Sequence, residues 1–308
     1  MLFSNHFPYP LLPNSTPMAK PTISVGEIID KSWHIYKQHF GEFMSVSGWL
    51  LAVAVLNIVA LALYPSATVV LSARPYGAAE TFGTILLILN NFLVAPLLGI
   101  WITATLVRLI DTIVSGSQKS LKTVMKDGRK FFWPFLLVSV LFSLVILATM
   151  LFLLPGIFFT LVGRGLSGMG TLVAMIGALL LIIGIVLSAV MAILWGVRFF
   201  FSTYTLLVDG HRGRTALKAS YRLVHGNFWE ILVRLVLPKA LFFIVFAFGL
   251  FIVNTIASMV ISGAAGLNID LQVRLTTIVT GVLVLIQTVL INPIILVSDY
   301  LIYKDMTR

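Results

Sequence analysis

The chain contains no cysteine. This absence excludes disulfide bonds, thiolate catalysis and metal sites that use cysteine ligands. Charged residues are also scarce: they make up 10% of the chain, whereas hydrophobic residues make up 59%. A soluble domain carries about 25% charged residues, so this chain has too little polarity to cover a water-facing surface. The composition therefore excludes a soluble enzyme and a disordered chain, and it predicts a protein surrounded mainly by lipid.

Six apolar segments are long enough to cross a bilayer, since a spanning helix needs about 20 mainly apolar residues. They cover residues 44–64, 82–109, 131–162, 171–198, 241–262 and 276–301. The sequence therefore predicts an all-α polytopic membrane protein in which residues 24–308 form one six-span transmembrane domain. Residues 1–23 are rich in proline and are predicted to be a disordered tail. The apolar stretch 171–208 exceeds one upright crossing, so we expect it to turn along the membrane interface after Arg198.

Basic residues outnumber acidic ones by 21 to 11, and they are unevenly distributed. Arg74, Arg164 and Arg274 fall in the loops after the first, third and fifth predicted spans, which leaves 18 of the 21 at the opposite ends. By the positive-inside rule this distribution predicts a multi-pass protein of a bacterial-type inner membrane with both termini in the cytoplasm. The basic excess then faces anionic lipid headgroups, which explains the charge without nucleic acid as a partner.

Three short segments with helical hydrophobic periodicity precede the first, third and fifth spans, beginning near Ser24, Ser120 and Thr215. Ser24 and Glu27 have the spacing of a helix capping box. We expect these amphipathic helices to lie flat at the cytoplasmic interface. Their basic residues and those of the neighbouring loop predict a basic collar that binds membrane lipid or a protein partner. The members of this basic collar are Lys122, Lys126, Arg129, Lys130, Arg198, Arg212, Arg214, Lys218 and Arg222.

The first and third amphipathic segments match at several positions, which indicates three repeated units of one amphipathic helix and two spans. Small residues let helices approach closely in membranes, so a serine beside an apolar face favours packing against a span. The matching positions predicted to pack in this way are Ser32, Phe40, Ser220 and Phe228. In the second segment Thr123 and Phe131 keep the same eight-residue spacing, although Thr123 falls on the polar face.

The segment 216–229 has the sequence ALKASYRLVHGNFW and follows LLVDG at 206–210. Together with VGEII at 25–29 and the ending from Asn292 to Asp305, it resembles the glycerophosphoryl diester phosphodiesterase membrane-domain family. In that family the membrane region is fused to a soluble phosphodiesterase domain or stands alone with no established activity. The resemblance implies a stand-alone membrane module without the hydrolase domain, and it carries over no catalytic residue.

One motif of catalytic type occurs, GLSG at 165–168, which matches the GxSG motif of rhomboid proteases. A serine nucleophile needs a base within hydrogen-bond reach. The histidines further along the chain, His211 and His225, are predicted to lie across the bilayer from Ser167. We therefore predict a non-enzymatic protein without a cofactor or a metal.

The alternative function is a transporter or lipid-handling protein with a neutral polar path between its spans. The central stretches of the spans hold no ionisable residue, so neutral polar side chains either join helices by hydrogen bonds or line such a path. These side chains are Asn57, Asn90, Asn91, Asn254, Gln287 and Asn292. A hydrated cavity lined by Asn57, Asn90 or Gln287 would favour the alternative, and a tightly packed bundle would favour the non-transporting protein.

Overall fold

The computed structural model describes residues 23–66, 69–70, 72, 74–117, 119–166, 168–266 and 268–308. Within these residues the regular secondary structure is helical, without any strand. Six of the described helical segments are long and apolar enough to cross a membrane, and we number them spans one to six. They are Phe40–Leu63, Ala78–Val114, Phe132–Gly165, Gly170–Leu207, Phe228–Ala265 and Ile269–Met306. The predicted all-α polytopic fold with six spans is therefore confirmed.

Spans one to three are each interrupted once by a tighter or wider helical turn. The helices of span one are Phe40–Ser47 and Leu51–Leu63, those of span two are Ala78–Leu89 and Ala95–Val114, and those of span three are Phe132–Ala148 and Leu154–Gly165. A π-turn over Asn90–Val94 joins the two halves of span two. Pro96 and Pro155 are the second residues of the helices that follow the interruptions. Proline is tolerated there because the first N–H groups of a helix have no partner within it.

Span four consists of a long helix, Gly170–Phe199, and a short one, Ser202–Leu207. The predicted turn after Arg198 is present, whereas the predicted path along the membrane interface stays a prediction. Phe201 and Leu206 are fully buried, because the short helix folds into the interior of the protein. The apolar run at the end of span four therefore supplies a protein core rather than a lipid-facing surface.

Spans five and six are unbroken helices of 38 residues each, Phe228–Ala265 and Ile269–Met306. At ~1.5 Å per residue each is about 57 Å long, whereas the hydrocarbon layer is about 30 Å thick. Each helix is therefore longer than one upright crossing of the apolar layer. The last part of span six is almost wholly buried, with Tyr300 and Tyr303 fully enclosed.

Consecutive spans pair as hairpins, and the hairpin of spans three and four is the most closely packed. Glycines recur every seven residues along its contact, at Gly156 and Gly163 in span three and at Gly170, Gly177 and Gly184 in span four. A methyl group added to Gly163 would lie 2.8 Å from the Cα atom of Ala174. The two backbones thus touch directly, which is how small residues stabilise helix pairs where lipid provides no hydrophobic drive.

Three amphipathic helices precede the odd-numbered spans, as predicted. Amphipathic helix one is Val25–Gln38, helix two is Leu121–Lys130 and helix three is Arg214–Val224. Ser24 caps helix one, because its Oγ accepts a hydrogen bond from the Glu27 N–H at 3.2 Å. One to three residues separate each helix from the span that follows it. They are His39, Phe131 and residues 225–227.

The three amphipathic helices share one register relative to the spans that follow them. Each span begins with a phenylalanine, at Phe40, Phe132 and Phe228. The residues eight positions earlier are all buried, with exposed fractions of 0%, 1% and 0% at Ser32, Val124 and Ser220. The predicted register of the second unit, which used Thr123 and Phe131, is therefore wrong by one residue. Thr123 is exposed, since the buried face of helix two begins at Val124.

Each amphipathic helix packs against the end of an even-numbered span. Helix two contacts span two, helix three contacts span four, and helix one contacts span six. Helix one begins the described chain and span six ends it, so the three units close into a ring. We call the end of the bundle that carries these helices the collar end. The ends of spans two, four and six meet at the centre of the ring and form its core.

The predicted tail, residues 1–23, lies outside the described residues except for Ile23. The Ile23 N–H donates a hydrogen bond to Asp305 Oδ2 at 3.3 Å. This bond joins the first described residue to the end of span six, and it helps to close the ring.

Candidate functional site

The basic collar surrounds the collar end of the bundle. Eight of its nine residues are exposed, and Arg198 is half-buried. Lys130 contacts Asp127 at 3.1 Å. Among the described residues, no carboxylate forms an ion pair with any of the other eight collar members. The collar therefore presents positive charge that the described part of the chain does not neutralise, directly beside the apolar faces of two helices.

Arg198 differs from the other collar residues because it is part of a helix contact. Its guanidinium lies over the ring of Trp195 at 5.5 Å and over the ring of Tyr221 at 5.4 Å. Its backbone carbonyl accepts a hydrogen bond from Ser220 Oγ at 2.8 Å. Cation–π contacts of this kind stabilise by about 0.5–1 kcal/mol at exposed sites. Arg198 thus fastens helix three to span four, and it contributes less to the open cationic surface than predicted.

The predicted packing residues behave in two ways. Ser32 and Ser220 are fully buried, whereas Phe40 is 43% exposed and Phe228 is half-buried. The Phe40 ring meets only the edge of Tyr36, with ring centroids 5.5 Å apart. The serines occupy the predicted packing positions, and Phe40 does not. Tyr36 lies on the buried face of helix one, and burial raises its pKa to about 12.

Two tyrosines at the end of span six join it to spans two and four. Tyr300 donates a hydrogen bond to Asp111 Oδ1 at 2.8 Å, and Tyr303 donates one to Asp209 Oδ2. Both tyrosines are fully buried, whereas Asp111 is half-buried and Asp209 is exposed. Hydrogen bonds to charged groups contribute about 1.5–3 kcal/mol. These pairs therefore fix the even-numbered spans to one another at the centre of the collar end.

A buried ion pair lies next to these tyrosines. Lys239 Nζ of span five is 2.9 Å from Asp299 Oδ1 of span six, and the Asp299 side chain is 3% exposed. The pair is close but is not aligned as a hydrogen bond. Lys239 Nζ also lies 3.9 Å from the centroid of the Phe200 ring. A buried charge is tolerated only when it is paired, so Asp299 needs Lys239 and the two hold spans five and six together.

Arg234 forms a second link between spans five and six. It contacts Glu230 at 3.0 Å and Asp305 at 3.2 Å, and its side chain is 9% exposed. Asp305 also accepts the Ile23 N–H, so one carboxylate connects span five, span six and the start of helix one. Within the described residues, no group of three or more histidine or acidic side chains has the spacing of a metal site. The polar contacts at the collar end are those of a structural network.

Sequence reasoning missed the two tyrosine–aspartate pairs. Asp111 and Tyr300 are 189 residues apart, so no local pattern relates them. One signal was present in the sequence: Tyr300 and Tyr303 lie three residues apart, which places both on one face of the last helix. Asp111 and Asp209 each stand at the end of an even-numbered span in a chain with few acidic residues.

The neutral polar residues mostly join helices. Asn90 is fully buried and donates hydrogen bonds to the Val53 carbonyl at 3.0 Å and to Asn57 Oδ1 at 2.8 Å. Asn57 and Asn91 also line a cavity of about 280 Å³ between spans one, two and six, whose other walls are mainly apolar. Asn90 does not line it. The bundle therefore has both the interhelical hydrogen bonds and a cavity with two amide groups.

Two of the three arginines at the opposite end of the bundle, Arg274 and Arg74, have partners within the described residues. Arg274 donates hydrogen bonds to the carbonyls of Leu61, Ala62 and Tyr64 at 2.9–3.1 Å. It thereby caps the end of span one. Arg74 contacts Glu80 at 2.9 Å. The two ends thus differ in kind: the protein neutralises these two cations at one end and leaves most of the collar unpaired at the other.

Ser167 of the GxSG motif lies outside the described residues.

No protein-family model, curated protein or solved structure matches this chain. The resemblance to the glycerophosphoryl diester phosphodiesterase membrane-domain family therefore stays a prediction, and no residue role comes from it.

Proposed function

We propose that this chain is a non-enzymatic multi-pass protein of a bacterial-type inner membrane, with both termini in the cytoplasm, and that its basic collar binds anionic phospholipid. The observation that carries the proposal is the set of exposed cations without carboxylate partners at one end of the described bundle. A basic residue near an anionic membrane surface contributes about 1 kcal/mol of attraction. The collar places several such residues where the spans meet the headgroups.

The shape of the collar end supports lipid as the partner. Helices two and three each carry a buried face and a cationic face, and Lys218 and Arg222 are four residues apart on helix three. Such helices lie in the plane of the interface, with their charged side chains at headgroup level. An acidic protein would satisfy the same cations, so the experiment must separate lipid from protein.

The test measures lipid enrichment around the purified protein in bilayers that contain neutral and anionic phospholipids and no other protein. The double variant Lys218→Gln and Arg222→Gln should lower the preference for anionic lipid by about 2 kcal/mol at low salt. The effect should shrink as ionic strength rises. If an acidic protein were the sole ligand, neither the wild type nor the double variant would enrich anionic lipid.

The matched control is the double variant Arg74→Gln and Arg164→Gln, which removes the same charge from the opposite end of the bundle. It should leave the enrichment at the collar end unchanged. Equal enrichment in the wild type and in the Lys218 and Arg222 variant would contradict the proposal.

A second candidate function is transport or lipid handling through the bundle, and the cavity lined by Asn57 and Asn91 favours it. The test is the variant Asn91→Cys in this cysteine-free chain. A path for polar solutes predicts that a small water-soluble thiol reagent modifies the cysteine, and that Asn57→Leu slows this reaction by narrowing the cavity. A lipid-filled or closed cavity predicts no reaction.

A further inference from the structure

A cleft of about 920 Å³ opens at the collar end, between amphipathic helix two and the beginnings of spans one and three. Its walls are mainly apolar and include Trp49 of span one, Leu97 and Trp101 of span two, and Trp133 of span three. Lys126 and Arg129 of helix two also line it. The cleft is within the size range of about 300–1,000 Å³ that is typical of small-molecule sites.

The packing of helix two brings its cations to this cleft. Gly128 is buried against span two, where an added methyl group would lie 3.0 Å from the Cα atom of Thr105. A glycine at this position allows the helix to approach span two without a side chain between them. Lys126 and Arg129, two residues before and one residue after this glycine, both line the cleft.

Three tryptophans line the cleft together with the two collar residues. The rings of Trp49 and Trp101 meet edge to face, with centroids 6.2 Å apart. Trp49 is 51% exposed and Trp133 is 73% exposed, so both present much of their rings to whatever occupies the cleft. Tryptophan prefers the boundary between headgroups and acyl chains because one end of its ring is polar and the other apolar.

The charged side chains that line the cleft all come from helix two. Lys126 and Arg129 are three residues apart on a helix and are therefore neighbours on its surface. Within the described residues neither has an ion-pair partner, and the acidic residue of helix two, Asp127, contacts Lys130 instead. A guanidinium binds phosphate oxygens in pairs, and an ammonium adds a point charge. The cleft thus fits a ligand with an anionic phosphate at one end and an apolar remainder.

We propose that this cleft binds a single anionic phospholipid, with its phosphate at Arg129 and Lys126 and an acyl chain along Trp49, Leu97 and Trp101. The inference rests on the proposed function, because it assigns one place in the collar to the lipid that the collar attracts. The chemistry favours a lipid over a membrane helix of another protein. A membrane helix is apolar along its length and gives two unpaired cations at one end of the cleft no partner.

The experiment uses tryptophan quenching in the full-length protein. Trp33, Trp195 and Trp229 are each replaced with phenylalanine, which leaves the three cleft tryptophans of the six in the sequence. The protein is reconstituted in phosphatidylcholine vesicles with increasing amounts of phosphatidylglycerol whose acyl chains carry bromine. We expect saturable quenching by brominated phosphatidylglycerol, and weaker, unsaturated quenching by brominated phosphatidylcholine.

Two variants test the two ends of the cleft. The double variant Lys126→Gln and Arg129→Gln should raise the amount of brominated phosphatidylglycerol needed for half-maximal quenching about tenfold or more, because two cations near the phosphate are lost. The variant Leu93→Phe adds bulk to the wall of the cleft without changing its charge or the number of tryptophans, and it should weaken binding of the brominated lipid in the same three-tryptophan protein. Leu93 is half-exposed, so the larger side chain does not disturb the core.

The control and the collar variant separate this inference from the proposed function. The double variant Lys31→Gln and Lys37→Gln removes the same charge from helix one and should leave the quenching curve unchanged. If Lys218→Gln with Arg222→Gln weakens the quenching as much as the Lys126 and Arg129 variant does, the collar holds lipid as a whole. The cleft assignment is then wrong while the proposed function stands. If phosphatidylglycerol quenches no better than phosphatidylcholine in any protein and no anionic lipid is enriched, both proposals fail.

Discussion

Amphipathic helix one and amphipathic helices two and three hold the same position before their spans, but they differ in charge. The exposed positions Asp30 and His34 of helix one correspond, in the shared register, to two cations in each of the other helices. Those cations are Lys122 and Lys126 in helix two and Lys218 and Arg222 in helix three. Helix one has equal numbers of basic and acidic residues, whereas the other two helices carry a net positive charge.

The three helices are packed alike, so the difference between them lies in their exposed charge. All three helices bury the residue eight positions before the span, so the same packing contact positions each of them. Helix one is also held by span six, through the bond from Ile23 to Asp305 and the contact of Asp305 with Arg234. Under the proposed function, helices two and three would carry the attraction to anionic lipid, and helix one would be held mainly by protein contacts.

The largest effect expected concerns the side of the membrane on which the collar end lies, which we propose to be the cytoplasm. The variants Gly77→Cys, at the opposite end, and His211→Cys, at the collar end, place single thiols at exposed positions of a chain without cysteine. We expect an impermeant thiol reagent to label the Gly77 variant in intact cells and the His211 variant only after permeabilisation. The reverse pattern would place the basic collar outside and would contradict the assignment of the positive-inside rule.

The close contact of helix two offers the next largest effect. Gly128→Leu forces a side chain against Thr105 and should cost about 1–3 kcal/mol or more, as overpacked cores do. Thermal unfolding in detergent measures the loss. The matched control is Gly26→Leu in helix one, where an added methyl group meets nothing within 4 Å. Equal melting temperatures for the two variants would show that helix two does not depend on this contact.

Smaller changes in stability are expected at the two aligned serines, Ser32 and Ser220. Ser220 donates to the Arg198 carbonyl, whereas Ser32 Oγ has no hydrogen-bond partner among the described residues. Ser220→Ala should therefore cost about 1 kcal/mol, and Ser32→Ala should be nearly neutral. Ser32→Leu and Ser220→Leu should each be less stable than the alanine variants because both positions are fully buried. A Ser32→Ala variant as unstable as Ser220→Ala would remove the distinction between the helices.

The smallest expected effect comes from giving helix one the charge of the others. Asp30→Lys places a cation at the position of Lys122 and Lys218, and it should strengthen attraction to anionic lipid by about 1 kcal/mol beyond the Asp30→Asn control. Lipid enrichment around the purified protein measures this change. No difference between the two variants would show that helix one lies too far from the headgroups for its charge to matter.

The elements of this protein were predictable from the sequence, whereas their contacts were less so. Apolar run length located six spans, and the Ser24 cap located the start of helix one. The register of helix two was missed by one residue, because Thr123 and Val124 are adjacent and only burial distinguishes them. The cleft was not predicted, since Trp49, Trp101 and Trp133 belong to three different spans.

The number of spans, their helical structure and the uneven distribution of cations all follow from the amino-acid sequence. Run length, charge position and helical periodicity are local properties, and lipid imposes them strongly because every backbone polar group must be satisfied within the chain. The tertiary structure alone decided that helix one packs on span six, that Tyr300 meets Asp111, and that Lys126 and Arg129 border an apolar cleft. Such contacts depend on shape and on pairing between distant residues, and the membrane environment does not distinguish among the alternative arrangements of equally apolar helices.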